Sequence, residues 1–130
     1  MAKSYGYEFE VSVYAYFKVA MSKRKDEEEI KEEAFNATCR LYEHESDVKV
    51  VDNDTMEIEQ DGKYFTIANQ GLDLRIKCTG YDYDDAYQNA EAIAEGIIDE
   101  LPAGVAYFDC EAYDAEQGEP AVDWDWAVGE

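Results

Sequence analysis

After Lys77 the chain contains no lysine and no arginine. From Cys78 to Glu130 there are 15 acidic residues and not one base, whereas the first 77 residues mix 17 acids with 11 bases. The whole chain of 130 residues carries a net charge of -21. A surface so poor in cations repels phosphate, so direct binding of nucleic acid or of anionic lipid is not expected. Long apolar runs are also missing. None approaches the roughly 18 residues of a membrane helix, and the opening Met-Ala-Lys-Ser-Tyr-Gly leads into an alternating pattern rather than an apolar signal region. The expectation is a cytoplasmic protein.

Cysteine is scarce. Cys39, Cys78 and Cys110 are odd in number, widely spaced and without a Cys-x-x-Cys pair. That pattern excludes a disulfide framework and reads as free thiols serving as small buried hydrophobes. Histidine occurs once, as His44 between Glu43 and Glu45, and reads as a solvated residue at a helix end. There is no Gly-rich phosphate loop and no recognisable nucleophile motif. Carboxylate pairs are so common that no single pair points to catalysis. Asp52-Asn53-Asp54 and Asp82-Tyr83-Asp84-Asp85 lack the glycine that a calcium loop requires. They read as a turn and a helix cap, and neither an enzyme, a metal nor a cofactor is expected. Only two prolines and no Gly-rich linker interrupt the chain. One domain over residues 1–114 is expected, followed by an acidic tail over 115–130 that holds Trp124 and Trp126.

What is present is a cored domain: 46% hydrophobic and 14% aromatic residues exceed what a disordered acidic chain carries. Tyr7, Phe9, Val11, Val13, Ala15, Phe17, Val19 and Met21 alternate with polar residues, the period of a long strand with one buried face. Asp26 with Glu29 resembles a capping box and opens a helix of about 16 residues with an apolar stripe at Ile30, Ala34, Ala37 and Leu41. Short strands follow at Val48 and Val50, at Met56 and Ile58, after a hairpin at Asp61-Gly62, and through Leu72, Leu74, Ile76 and Cys78. Turns are expected at Asp52-Asn53-Asp54 and Asn69-Gln70-Gly71. Asp84 is the expected N-cap of a second helix carrying Ala86, Ala90, Ile93, Ala94, Ile97, Ile98 and Leu101, closed by Pro102 and Gly104. A last strand spans Val105 to Tyr113 with Ala106, Phe108, Cys110 and Ala112 as its inner face. The expected class is α+β: a two-layer sandwich in which a mainly antiparallel sheet of five to six strands carries two helices on one face. Its other face would show Tyr14, Tyr16, Arg75 and Lys77.

Soluble surfaces ordinarily mix charges, because a single-sign field destabilises the compact state. A cation-free half therefore suggests a surface used for its field. A chain of this length is about 36 Å across, and that length of duplex DNA holds about 21 charges, as many as the protein's net charge. Carboxylates stand in for phosphates as acceptors for Arg and Lys. Tyr81, Tyr83, Tyr87, Tyr107, Tyr113, Trp124 and Trp126, interleaved with the acids, offer faces for guanidinium groups. The expected partner-binding residues are Tyr81, Asp82, Tyr83, Asp84 and Asp85, the outer helix column Glu91, Glu95 and Asp99, and Asp109, Glu111 and Asp114 of the last strand.

In size, charge and aromatic content the chain resembles the DNA-mimic inhibitors that bacteriophages and mobile elements use against restriction and CRISPR enzymes. The resemblance includes no motif. It implies a protein that occupies the basic groove of a nucleic-acid-binding defence protein and inhibits it stoichiometrically, in a bacterial host cytoplasm. The alternatives are an acidic docking domain for a basic partner unrelated to nucleic acid and, third, a small enzyme. Halophilic adaptation, which depletes lysine, fits poorly with 8 lysines against 3 arginines.

Overall fold

The computed structural model describes residues 4–22, 26–61 and 65–122. It is α+β, with a four-stranded antiparallel sheet and two helices. The strands are β1 (Ser4–Ser22), β2 (Val48–Asp61), β3 (Phe65–Gly80) and β4 (Val105–Val122), in the spatial order β2-β3-β1-β4. The helices are α1 (Glu27–Cys39) and α2 (Tyr83–Glu95).

The alternation in β1 places Phe9, Val11, Val13, Ala15, Phe17, Val19 and Met21 in the core. The even-numbered residues from Glu8 to Ala20 keep contact with solvent. Leu72, Leu74 and Ile76 of β3 pair with Ala15, Val13 and Val11 on the buried face. Asp26 caps α1 as its spacing predicts, accepting the Glu29 N–H at 2.8 Å. A 3-10 turn at Arg40–Tyr42 extends this helix, matching the expected length. α2 begins two residues earlier than expected. Asp82, in extended backbone, is the cap and accepts the Asp85 N–H at 2.8 Å, while Asp84 already lies inside the first turn. Ala86, Ala90 and Ala94 are completely buried; their small side chains let α2 lie close to the sheet. Residues of both helices join hydrophobic clusters with the odd-numbered face of β1. Tyr42 ties the helix ends together by donating its hydroxyl to the Ala94 carbonyl at 2.8 Å.

The sheet has four strands rather than five or six because neither expected turn breaks its strand. β2 runs through Asp52-Asn53-Asp54 and β3 through Asn69-Gln70-Gly71. The polar residues that suggested turns satisfy each other across the pair instead. Thr55 donates to Gln70 Oε1 at 2.6 Å, and the fully buried Gln70 donates to Asn53 Oδ1 at 3.3 Å. β2 absorbs two extra residues, Val51 and Met56, where its pairing with β3 shifts register. Of the hairpin expected at Asp61-Gly62, Asp61 ends β2 opposite Phe65, and Gly62 lies outside the described residues.

β4 differs from expectation in phase and in length. Its pairing with β1 skips Phe108, between Phe17↔Tyr107 and Tyr16↔Asp109, and Tyr113, between Val13↔Ala112 and Ser12↔Asp114. Each bulge adds a residue and moves the alternation by one. The side chains packed on the core are therefore Val105, Tyr107, Cys110, Ala112 and Ala115. Ala106 and Phe108 are not among them, and Phe108 is 70% exposed. The segment expected to start a tail at Ala115 instead continues the strand to Val122, with Val11↔Ala115, Phe9↔Gln117 and Tyr7↔Pro120. Trp124 and Trp126 lie outside the described residues.

Candidate functional site: the open face of the sheet

Because β2 and β4 are the edge strands, the even-numbered face of β1 sits between two rows of their side chains. Two successive rungs define its centre. The first runs Asp52, Asp73, Tyr14, Glu111 across the four strands, and the second runs Asp54, Gly71, Tyr16, Asp109. Five carboxylates thus surround two tyrosines, whose rings lie 4.9 Å apart. Asp52 and Asp73 are direct cross-strand partners, an arrangement that costs stability because like charges face each other. Among the described residues no lysine or arginine forms an ion pair with any of the five.

Gly71 shapes this centre. A Cβ there would collide with the hydroxyl end of the Tyr14 ring, so the missing side chain is what lets Tyr14 occupy the space. The Tyr14 hydroxyl is held above its ordinary pKa, first by burial and then by the field of Asp54, with Tyr16, Asp73 and Asp52 adding to it. Tyr113, the second bulged residue of β4, crosses over β1 and donates its hydroxyl to Asp73 Oδ1 at 2.8 Å. That bond is the main reason its own pKa is raised. Cations border the patch. Lys18 Nζ lies 5.7 Å from the centroid of Phe108 at one end. At the other, Arg75 Nε approaches Glu10 Oε1 at 3.9 Å, and Arg75 pairs with Lys49 across β2 and β3.

The residues expected to bind a partner divide between two surfaces. Asp109, Glu111 and Asp114 lie on β4, opposite Tyr16, Tyr14 and Ser12. The others lie with α2 and serve the fold in part. Asp82 caps the helix, and Asp85 accepts the Tyr81 N–H at 2.9 Å. Tyr83 packs edge-on against Phe9 with centroids 5.3 Å apart. Glu91 and Glu95 do not form a free outer column, since both turn toward β4. Glu91 Oε2 accepts the N–H of Ala112 at 2.9 Å, beside the second bulge, and Glu95 Oε1 accepts the Tyr107 hydroxyl at 3.1 Å. Tyr81, Asp84 and Asp99 are exposed. Asp52 and Asp54 were missed because Asp52-Asn53-Asp54 reads as a turn until its register with β3 is known, and Asp73 because only that register sets it against Asp52.

The groups with nucleophilic character are subdued. Burial pushes the Cys110 thiol up to about 11, despite a lowering by its hydrogen bond with Tyr107. Cys78 is likewise raised by burial and by Asp85. Among the described residues no three His, Cys, Asp or Glu side chains gather as metal ligands would, and no helix is long and apolar enough to cross a membrane. No family model, no curated protein and no solved structure matches the chain.

Proposed function

We propose that this chain binds the cationic groove of a nucleic-acid-binding protein and inhibits that protein stoichiometrically, as a DNA mimic of the kind directed against CRISPR or restriction enzymes. The observation that carries the reading is the pair of acidic rungs around Tyr14 and Tyr16, with Asp52 set directly against Asp73. A fold that places like charges face to face gives up stability, and an external cation recovers it. The acids of the edge strands are three inter-strand spacings apart, about 14 Å. The major groove of B-DNA is about 12 Å wide, so the two edges present negative charge at a separation comparable to that of phosphate rows. The open face replaces the α2 column as the main binding surface, because Glu91 and Glu95 are occupied within the fold.

A partner held on the immobilised chain tests this. Duplex DNA or guide RNA should displace it, added salt should weaken the complex steeply, and inhibition should saturate at a fixed molar ratio. A partner that nucleic acid fails to displace supports the docking-domain reading instead. Turnover at substoichiometric amounts supports an enzyme.

A further inference from the structure

Among the aromatic side chains of the open face, one already has a cation: Lys18 over Phe108. Tyr14 and Tyr16, at the centre, have none among the described residues. Tyr14 lies over the gap left by Gly71 with its ring 4.9 Å from that of Tyr16, while Asp54 stands opposite Gly71 on β2 and Asp73 two residues further along β3. The combination is selective among cations. An ammonium is a compact, strongly hydrated point charge that gains little from a flat face. A guanidinium is planar and weakly hydrated, stacks on an aromatic ring, and presents a fork of donors to a carboxylate at its edge. We infer that the Tyr14–Gly71 platform, walled by Asp52, Asp54 and Asp73, is a guanidinium site, so that the partner is recognised through arginine in preference to lysine. This rests on the reading of the open face as the partner-binding surface.

The chain's own residues agree with the assignment. Lys18 and Arg75 stand at the two ends of the face, on rungs outside the two central ones, where Lys18 lies over Phe108 and Arg75 reaches Glu10. The hydroxyl of Tyr113 holds one oxygen of Asp73 at 2.8 Å, which fixes that carboxylate beside the platform.

Two synthetic peptides of equal length and charge, one with six arginines and one with six lysines, test the inference by calorimetric titration into the full chain. The arginine peptide should bind about two- to fivefold more tightly, the ratio that stacking on an exposed ring supplies. Tyr14→Leu should bring the two affinities together while leaving charge-driven binding of both. Because that variant disturbs packing over Gly71, ring-proton resonances of the unaltered protein give an independent measurement. The arginine peptide should shift Tyr14 and Tyr16, and its own guanidinium-side protons should move upfield. Equal affinities, or binding that leaves both tyrosines unshifted, would overturn the guanidinium site while the acidic-face reading stands. Failure of both peptides to bind would overturn both.

Discussion

Tyr113 stands on β4 and bonds to Asp73 on β3, so its side chain bridges the central strand β1. It does so from a bulge, since Val13 pairs with Ala112 and Ser12 with Asp114. Alternation after the core-facing Ala112 puts Tyr113 on the open face, and the extra residue keeps Asp114 on that face beside it, so that Ala115 returns to the core. Tyr113→Phe removes the donor while keeping the ring. Tyr113 is 54% exposed, so the loss should fall below the usual range for a hydrogen bond to a charged group, at about 1 kcal/mol or less. Urea midpoints should register it as a small destabilisation with an unchanged slope.

Asp52→Asn should have the opposite sign. Removing one charge from the Asp52–Asp73 pair relieves a direct cross-strand repulsion, and the variant should be more stable by about 0.2–1 kcal/mol. Its melting temperature at low ionic strength should exceed that of the parent, and the gap should narrow with added salt as screening weakens the repulsion that the parent retains. A variant less stable than the parent would show that Asp52 serves the fold.

Glu91 serves the fold in a way its position on a helix does not advertise. Its carboxylate satisfies the Ala112 N–H next to a bulge, where the β ladder is interrupted. Glu91→Ala leaves that donor without its partner at a half-buried site and should cost about 1–3 kcal/mol. Glu91→Gln keeps an acceptor and should cost less. Chemical denaturation of the two variants side by side separates loss of the acceptor from loss of charge.

Alkaline pH should unfold the protein through its tyrosines. Burial raises Tyr42 and Tyr107 well above the ordinary value of 10.0, and Tyr14 and Tyr113 are raised as well. A raised pKa means that the native state holds the phenol proton more tightly than the unfolded state does. The stability these groups contribute is fully present below pH 10 and is lost as pH rises through their native values. In a spectroscopic titration of the phenolates, Tyr42 and Tyr107 should therefore ionise only together with loss of the circular dichroism of the fold. A single reversible transition for all of them would contradict the burial of Tyr42 and its bond to Ala94.

Much of this architecture was legible in the residues. The alternation through β1 and the apolar stripes of α1 and α2 arise from one-face burial, which leaves a direct trace in a sequence. The bulges left none. Val51, Met56, Phe108 and Tyr113 are ordinary strand residues, and only the pairing with β3 or β1 shows which one is extra. For that reason the inner face of β4 was assigned one residue out of phase before Asp109. Likewise the acids of β2 looked like a turn, because Asn53 and Gln70 satisfy each other only once the strands are aligned. The candidate site depends on the same long-range register. Asp109, Glu111 and Asp114 were visible as an acidic strand, but their convergence with Asp52, Asp54 and Asp73 around Tyr14 is a property of the sheet order.

The central claim is that the open sheet face, and not the surface of α2, carries the partner. Two triple charge reversals measured against the same captured partner decide it most directly. Asp52→Lys, Asp54→Lys and Glu111→Lys together place like charges against the partner's cations and should weaken binding by roughly 100-fold or more. Asp84→Lys, Asp99→Lys and Glu100→Lys, an equal change in charge on the helix side, should alter affinity by no more than about tenfold through the overall field. Circular dichroism establishes that each variant is folded. Binding that survives the sheet-face reversal and is lost with the helix-side one would contradict the claim.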